Sequence, residues 1–201
     1  MVERGFKRRI EDVPNLGGSI EVIIGGMFSG KSDELIRRVR RAPYAKETAQ
    51  IFKPIVDNRR EPDTINTYDG LKEPAISVSN SSEILERLDG DTTWVAVDEA
   101  QFFDRGLSEV CNKLALQGKR VIVAGLDADY RGERFGPMDD LVRDAERVTK
   151  LNASCNVCGE TASRTQRLLG GEPASYDGEQ VVVGEEEYEA RCRFHHQVPK
   201  E

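Results

Sequence analysis

The chain has no long apolar run, few aromatic residues and no excess of positive charge. Its longest uninterrupted apolar stretches, such as Val121-Ile122-Val123-Ala124, fall far short of the ~20 residues that a helix needs to cross a bilayer, so no transmembrane helix is expected. Residues 1–15 are charged and show no apolar core ahead of a small-residue cleavage site, so no secretory signal is read and the expected compartment is the cytoplasm. With 29 Lys and Arg against 36 Asp and Glu, the formal net charge is −7. Non-specific nucleic-acid binding comes mainly from basic side chains neutralising phosphates, so neither nucleic acid nor a membrane is an expected partner. Four cysteines in 201 residues are too few for a disulfide scaffold. One of them, Cys111, stands in an apolar 3–4 pattern from Leu107 to Leu114 and is expected to be buried on a helix.

What is present is a composition, 38% hydrophobic over 201 residues, that can build a real core in one domain or in one domain with a small appendage. Residues 1–18 carry Arg4, Lys7, Arg8 and Arg9, lack periodicity and read as a flexible arm. Ser19 to Ile24 is a β-branched run that stops at glycine, and Ser32 to Arg41 follows with helical spacing of Leu35, Ile36 and Val39. Further strands are predicted at Gln50–Lys53, Ala75–Val78, Trp94–Val97 and Arg120–Ala124. Helices are predicted from Asn80 to Leu88, over 105–117, and from Pro137 to about Glu146. Pro54 to Pro74 reads as a long polar loop. Alternating strands and helices with apolar strand runs predict an α/β fold, a mainly parallel sheet covered on both faces. From Leu151 the helix signals fade, and 155–196 reads as a small, separately braced lobe.

Gly25-Gly-Met-Phe-Ser-Gly-Lys-Ser32 matches G-x-x-x-x-G-K-[ST] between a predicted strand and a predicted helix, the context a phosphate-binding loop requires. Its backbone N–H groups would face phosphate oxygens, Lys31 would reach the β/γ-phosphates, and Ser32 would ligate Mg²⁺. Asp98, closing Trp94-Val-Ala-Val, is the expected metal-side carboxylate. Strand alternation predicts that Glu99 points away from Asp98, toward a phosphoryl acceptor or toward an attacking water. A GTPase would carry N-K-x-D, whereas Asn112-Lys-Leu-Ala lacks the Asp, which favours a small-molecule kinase over a switch. Cys155-Asn-Val-Cys158 and Cys192-Arg-Phe-His195 supply three thiolates and an imidazole suited to a tetrahedral structural Zn²⁺, with His196 as the neighbouring competitor and a free-thiol pair as the alternative. Such an ion would tie together both ends of the 161–190 excursion and make it a lid.

In this order, the glycine loop, Asp98-Glu-Ala-Gln-Phe-Phe, Gly125-Leu-Asp-Ala-Asp-Tyr-Arg-Gly-Glu-Arg-Phe-Gly-Pro-Met and the Cys and Cys-His knuckles closely resemble the zinc-containing, cytosolic type II thymidine kinases, from about Ser19 to His196. The resemblance implies a RecA-like P-loop domain at 19–150, a zinc-braced lasso at 151–196 and a tail at 197–201. It implies transfer of the ATP γ-phosphoryl group to the 5′-hydroxyl of thymidine, and of deoxyuridine, giving dTMP in pyrimidine deoxynucleotide salvage. Mg²⁺, a homotetramer and feedback inhibition by dTTP come with it. On this resemblance Glu99 is the general base, and Gly25, Gly26, Met27, Phe28, Ser29, Gly30, Lys31, Ser32, Arg59, Asp98 and Gln101 bind ATP, with Ser32 and Asp98 on Mg²⁺. Met27, Phe102, Leu126, Tyr130, Phe135, Thr165, Val183 and Tyr188 form the nucleoside pocket, and Cys155, Cys158, Cys192 and His195 hold zinc. The chain departs from the pattern at Gly26 and Arg134, where proline is common, at Arg60 and Tyr68, and in a shortened Val183–Tyr188 segment.

Overall fold

The computed structural model describes residues 17–55, 63–66, 70, 72–181 and 187–200. The predicted arm (apart from Gly17 and Gly18), Arg59, Arg60, Tyr68, Val183 and Glu201 lie outside the described residues. The elements run β1 (Ser19–Ile24), α1 (Lys31–Val39), β2 (Ala49–Pro54), β3 (Thr64–Asn66), β4 (Lys72–Pro74), β5 (Ile76–Val78), α2 (Ser81–Glu86) and β6 (Trp94–Val97). They continue as α3 (Leu107–Leu116), β7 (Arg120–Gly125), α4 (Met138–Asp144), β8 (Arg147–Lys150), β9 (Ala153–Ser154), β10 (Thr161–Ala162), β11 (Arg164–Leu169), β12 (Glu172–Pro173) and β13 (Glu187–Arg191).

Six strands pair in the order β5-β2-β6-β7-β1-β8, all parallel. Alternation along the strands sends side chains to two faces. Ile20, Val22 and Ile24 of β1, Val95 and Val97 of β6, and Val121 and Val123 of β7 pack with Ile84, Leu107, Leu114 and Leu141 from α2, α3 and α4. Ile23, Trp94, Ala96, Ile122 and Ala124 pack on the other face with Leu35, Ile36 and Val39 of α1. Both faces are therefore apolar, and a one-residue slip of any central strand would exchange the two sets. Cys111 is fully buried in α3, and burial pushes its thiol up to about 12.

Three features differ from the sequence expectation. The polar stretch 54–74 contains the antiparallel hairpin β3–β4. Strand β8 adds an edge beside β1 although Arg147-Val-Thr-Lys has no apolar run; its backbone pairing with β1 defines it. Gly18, read as the end of the arm, lies against α3 so closely that a Cβ there would stand 1.9 Å from the Ala115 carbonyl oxygen. Beyond β8 the remaining strands form the small antiparallel sheets β9–β10 and β12-β11-β13.

One charged residue is buried under α1. Glu21 of β1 accepts from Arg38 at 2.8 Å and pairs with Arg120, while Arg38 also reaches Glu34 and Thr149, each at 2.8 Å. The Arg120 guanidinium sits 4.2 Å over the Trp94 ring. Removing one partner of a buried ion pair leaves an uncompensated charge and costs about 3–5 kcal/mol. Glu21→Ala is therefore expected to lower unfolding stability by about 3 kcal/mol in denaturant titration; a loss below about 1 kcal/mol would show that Arg38 and Arg120 find solvent without it.

Candidate active site and metal centre

The chain leaves β1 through Gly25, whose φ of 154° and whose closeness to Leu151 exclude a side chain; a Cβ would lie 2.4 Å from the Leu151 carbonyl oxygen. The loop then holds Phe28 and Gly30 in left-handed backbone conformations, at φ 63° and 78°. A bulky residue at positive φ stores strain, a cost met at functional loops. The Phe28 ring is 58% exposed at the loop's crest. Ser29 Oγ and Lys31 Nζ both donate to the Gly26 carbonyl oxygen, at 2.8 and 2.7 Å. The curled loop thus delivers α1 with Lys31 and Ser32 at its start.

Asp98 lies one residue beyond β6. Trp94 and Ala96 face α1, so alternation carries Asp98 to the same side, where its Oδ2 accepts from Ser32 Oγ at 2.9 Å. The carboxyl is buried, and burial together with the Glu99 charge raises its pKa well above the usual carboxylate range, against the pull of Ser32 and Lys31. Burial lowers the Lys31 pKa, opposed by the charges of Glu99, Asp98 and Asp127. A hydroxyl and a hard carboxylate oxygen side by side, in a pocket short of positive charge, fit a hydrated Mg²⁺.

Glu99 lies two residues beyond β6. The strand stops at Val97, and Glu99 is left-handed, φ 51° and ψ 40°, ahead of a single 3₁₀ turn at Ala100–Phe102. Alternation therefore does not apply to it, and its charge acts on both Asp98 and Lys31. Gln101, expected among the ATP-binding residues, is buried with its amide between Glu99 and the backbone of Leu126. Asp127, not singled out in the sequence, lies two residues beyond β7, as Asp98 lies one beyond β6; it pairs with Lys150 at 2.7 Å. Its signal was the same one, a carboxylate just past a buried apolar strand.

The expected nucleoside residues fall into two groups. Phe102 and Phe135 meet edge to face, 5.5 Å between centroids, and Leu126 is buried with its N–H on Gln101. Met27 N–H donates to Thr165 Oγ1 at 3.0 Å, which joins the glycine loop directly to β11. Thr165 stands opposite Ala190, and Arg167 opposite Tyr188, so all four share one face of the β11–β13 pair. Tyr130 differs from a simple pocket wall. It is buried, its hydroxyl donates to the Ser175 carbonyl oxygen at 2.9 Å, and the Arg167 guanidinium lies 4.9 Å from its ring centroid. With Gln180 donating to Asp129 at 3.0 Å and Tyr176 to Glu133, it fastens residues 175–180 to the loop after β7. These lobe contacts carry no sequence motif. The tail residues are bonded too: Gln197 N–H donates to Gln166 Oε1, and Tyr176 N–H to the Pro199 carbonyl oxygen, each at 2.8 Å.

Cys155, Cys158, Cys192 and His195 bring their donor atoms within 4.8 Å of one another. Cys158 and Cys192 Sγ are 3.9 Å apart, and His195 Nδ1 is 3.2 Å from Cys192 Sγ and 3.7 Å from Cys155 Sγ. Tetrahedral zinc with Zn–S of ~2.3 Å places sulfurs about 3.8 Å apart, and sulfur and nitrogen about 3.6 Å apart. The sulfurs are far beyond disulfide length, and all four cysteines are unpaired thiols. Burial raises the Cys155 pKa, but the backbone N–H groups of Cys192, Val157 and Cys158 outweigh it and hold the thiol at about 6, which favours a thiolate ligand. His196 instead faces the Tyr130 carbonyl oxygen at 2.8 Å, leaving the cluster to His195. Elemental analysis is expected to find one zinc per chain, falling well below one in Cys155→Ser and unchanged in Cys111→Ser; a folded, zinc-free wild-type protein would contradict this.

A family model described as thymidine kinase matches residues 18–196. Among solved structures, domain III of the Thermotoga maritima replication initiation protein DnaA is similar at 18% identity, with a TM-score of 0.40. That similarity covers 68% of this chain and 56% of the DnaA chain, so this chain spans little more than half its length.

Proposed function

The chain belongs to the thymidine kinase family, and from that premise we propose that it transfers the γ-phosphoryl group of ATP to the 5′-hydroxyl of thymidine, and of deoxyuridine. The observation that carries this reading is the gathering of Ser32, Asp98, Glu99 and Lys31 at the carboxyl ends of β1 and β6, with Ser32 and Asp98 in contact at 2.9 Å. In open parallel sheets, ligands bind at this edge. Backbone N–H groups of residues 25–30, other than that of Met27, which Thr165 holds, face the β- and γ-phosphates at the start of α1, and Lys31 exchanges the Gly26 carbonyl for phosphate oxygens. Ser32 and Asp98 would hold Mg²⁺, which would neutralise phosphate charge there. Arg59 contributes a further positive charge on the resemblance alone.

Glu99 orients the 5′-hydroxyl and takes its proton as the 5′-oxygen forms its bond to the γ-phosphorus. The bond to the β–γ bridging oxygen breaks, and ADP leaves with that electron pair. Phe102, Phe135, Leu126 and Met27 form the base and sugar wall. The lobe beyond β8, braced by the cysteine cluster, closes over it with Thr165 and Tyr188; Val183 joins them on the resemblance alone. By the same resemblance the enzyme works in the cytoplasm as a homotetramer in pyrimidine deoxynucleotide salvage, with dTTP as feedback inhibitor. Among the described residues, no helix is long and apolar enough to cross a membrane.

Glu99→Gln removes the proton acceptor while keeping size and left-handed backbone. Thymidine-dependent turnover is expected to fall at least about a hundredfold, with nucleotide affinity, measured by titration with a fluorescent ATP analogue, essentially unchanged. A variant with wild-type kcat would remove Glu99 from this role.

A further inference from the structure

We propose that Gln101 is a positioning residue that fixes the Glu99 carboxylate and ties it to the acceptor wall at Leu126; this rests on reading Glu99 as the general base. Gln101 is 2% exposed and lies in the 3₁₀ turn that follows Glu99. Its Oε1 accepts from the Leu126 N–H at 2.9 Å. A backbone N–H can only donate, so this bond fixes which end of the amide is oxygen and leaves the nitrogen on the other side. That nitrogen donates to Glu99 Oε2 at 2.5 Å. One side chain therefore spans the exits of β6 and β7.

The surroundings are shaped to this amide. A Cβ on Gly125 would stand 2.9 Å from Gln101 Oε1 and 2.6 Å from Met138 Sδ. A Cβ on Gly136, at φ 54°, would stand 2.1 Å from the Gln101 carbonyl oxygen. Two backbones approach as only glycine allows, and they close around the residue between Glu99 and Leu126. Oε1 and Nε2 each have a protein partner here, which assigns the side chain to the base rather than to nucleotide phosphates. Glu99 itself takes a left-handed backbone conformation next to the buried Asp98. Phe102, the next residue, meets Phe135, so the same turn sets both the base and one wall of the pocket.

The test uses Gln101→Met, which keeps length but removes both bonds, and Gln101→Glu, which can still accept from Leu126 but turns a carboxylate toward Glu99. In both, kcat with thymidine is expected to fall about ten- to a hundredfold, while the affinity for a fluorescent ATP analogue stays within about twofold. On a Glu99→Gln background, Gln101→Met is expected to add no further loss, because the residue acts through Glu99. Wild-type kcat in either variant, or weakened nucleotide affinity with kcat retained, would overturn the proposal. The parent reading fails separately: if Glu99→Gln itself retains full turnover, the base assignment falls. If Glu99→Gln is inactive and the Gln101 variants are fully active, only the positioning role falls.

Discussion

The parallel pairing of β1, β6 and β7 is the constraint on which the site depends. Its register sets Ile24 beside Gly125 and Val97 beside Val123, so the chain leaves all three strands at one edge of the sheet. At that edge β1 gives the glycine loop, β6 gives Asp98 and Glu99, and β7 gives Leu126 and Asp127. Nothing in these three segments is local to the others in sequence. The apolar alternation that holds the register is therefore also what assembles the chemistry, and the same alternation turns Asp98 toward Ser32.

Gathering these groups has an electrostatic consequence. The buried Asp98 stands beside the half-buried Glu99 and Lys31; burial and the Glu99 charge raise the Asp98 pKa, and desolvation lowers that of Lys31. Each shift means that the charged form would gain from a further opposite charge. A divalent cation beside Asp98 and a polyphosphate beside Lys31 are the complementary pair, and one nucleotide–metal complex supplies both. The Thr165–Met27 hydrogen bond then makes the lobe beyond β8 part of the same assembly, since it grips the glycine loop from above while the cysteine cluster braces the strands carrying it.

Much of this was legible in the sequence because it rests on short-range rules. β1, β6 and β7 are β-branched or apolar runs ending in glycine or aspartate. The glycine loop is a spaced motif, and the knuckles are paired motifs whose donor atoms do meet. What escaped was non-local. β8 is polar and exists by pairing with β1, and the β3–β4 hairpin exists by pairing within a segment lacking periodicity. Glu99 lies two residues past the end of β6, at the left-handed entry to a 3₁₀ turn, where strand alternation no longer sets a direction. The partners of the Tyr130 and Gln101 polar atoms, Ser175, Glu99 and Leu126, carry no sequence signal because tertiary folding alone sets them.

The account centres on an acceptor-dependent phosphoryl transfer at this edge. Its most direct test incubates the purified protein with ATP and Mg²⁺ and quantifies nucleotide products with thymidine, deoxyuridine, deoxycytidine, deoxyguanosine or no acceptor. ADP formed together with dTMP when thymidine is present, and with dUMP when deoxyuridine is present, but not without an acceptor, is the predicted result. ADP released equally without any acceptor, or nucleoside bound without turnover, would contradict it.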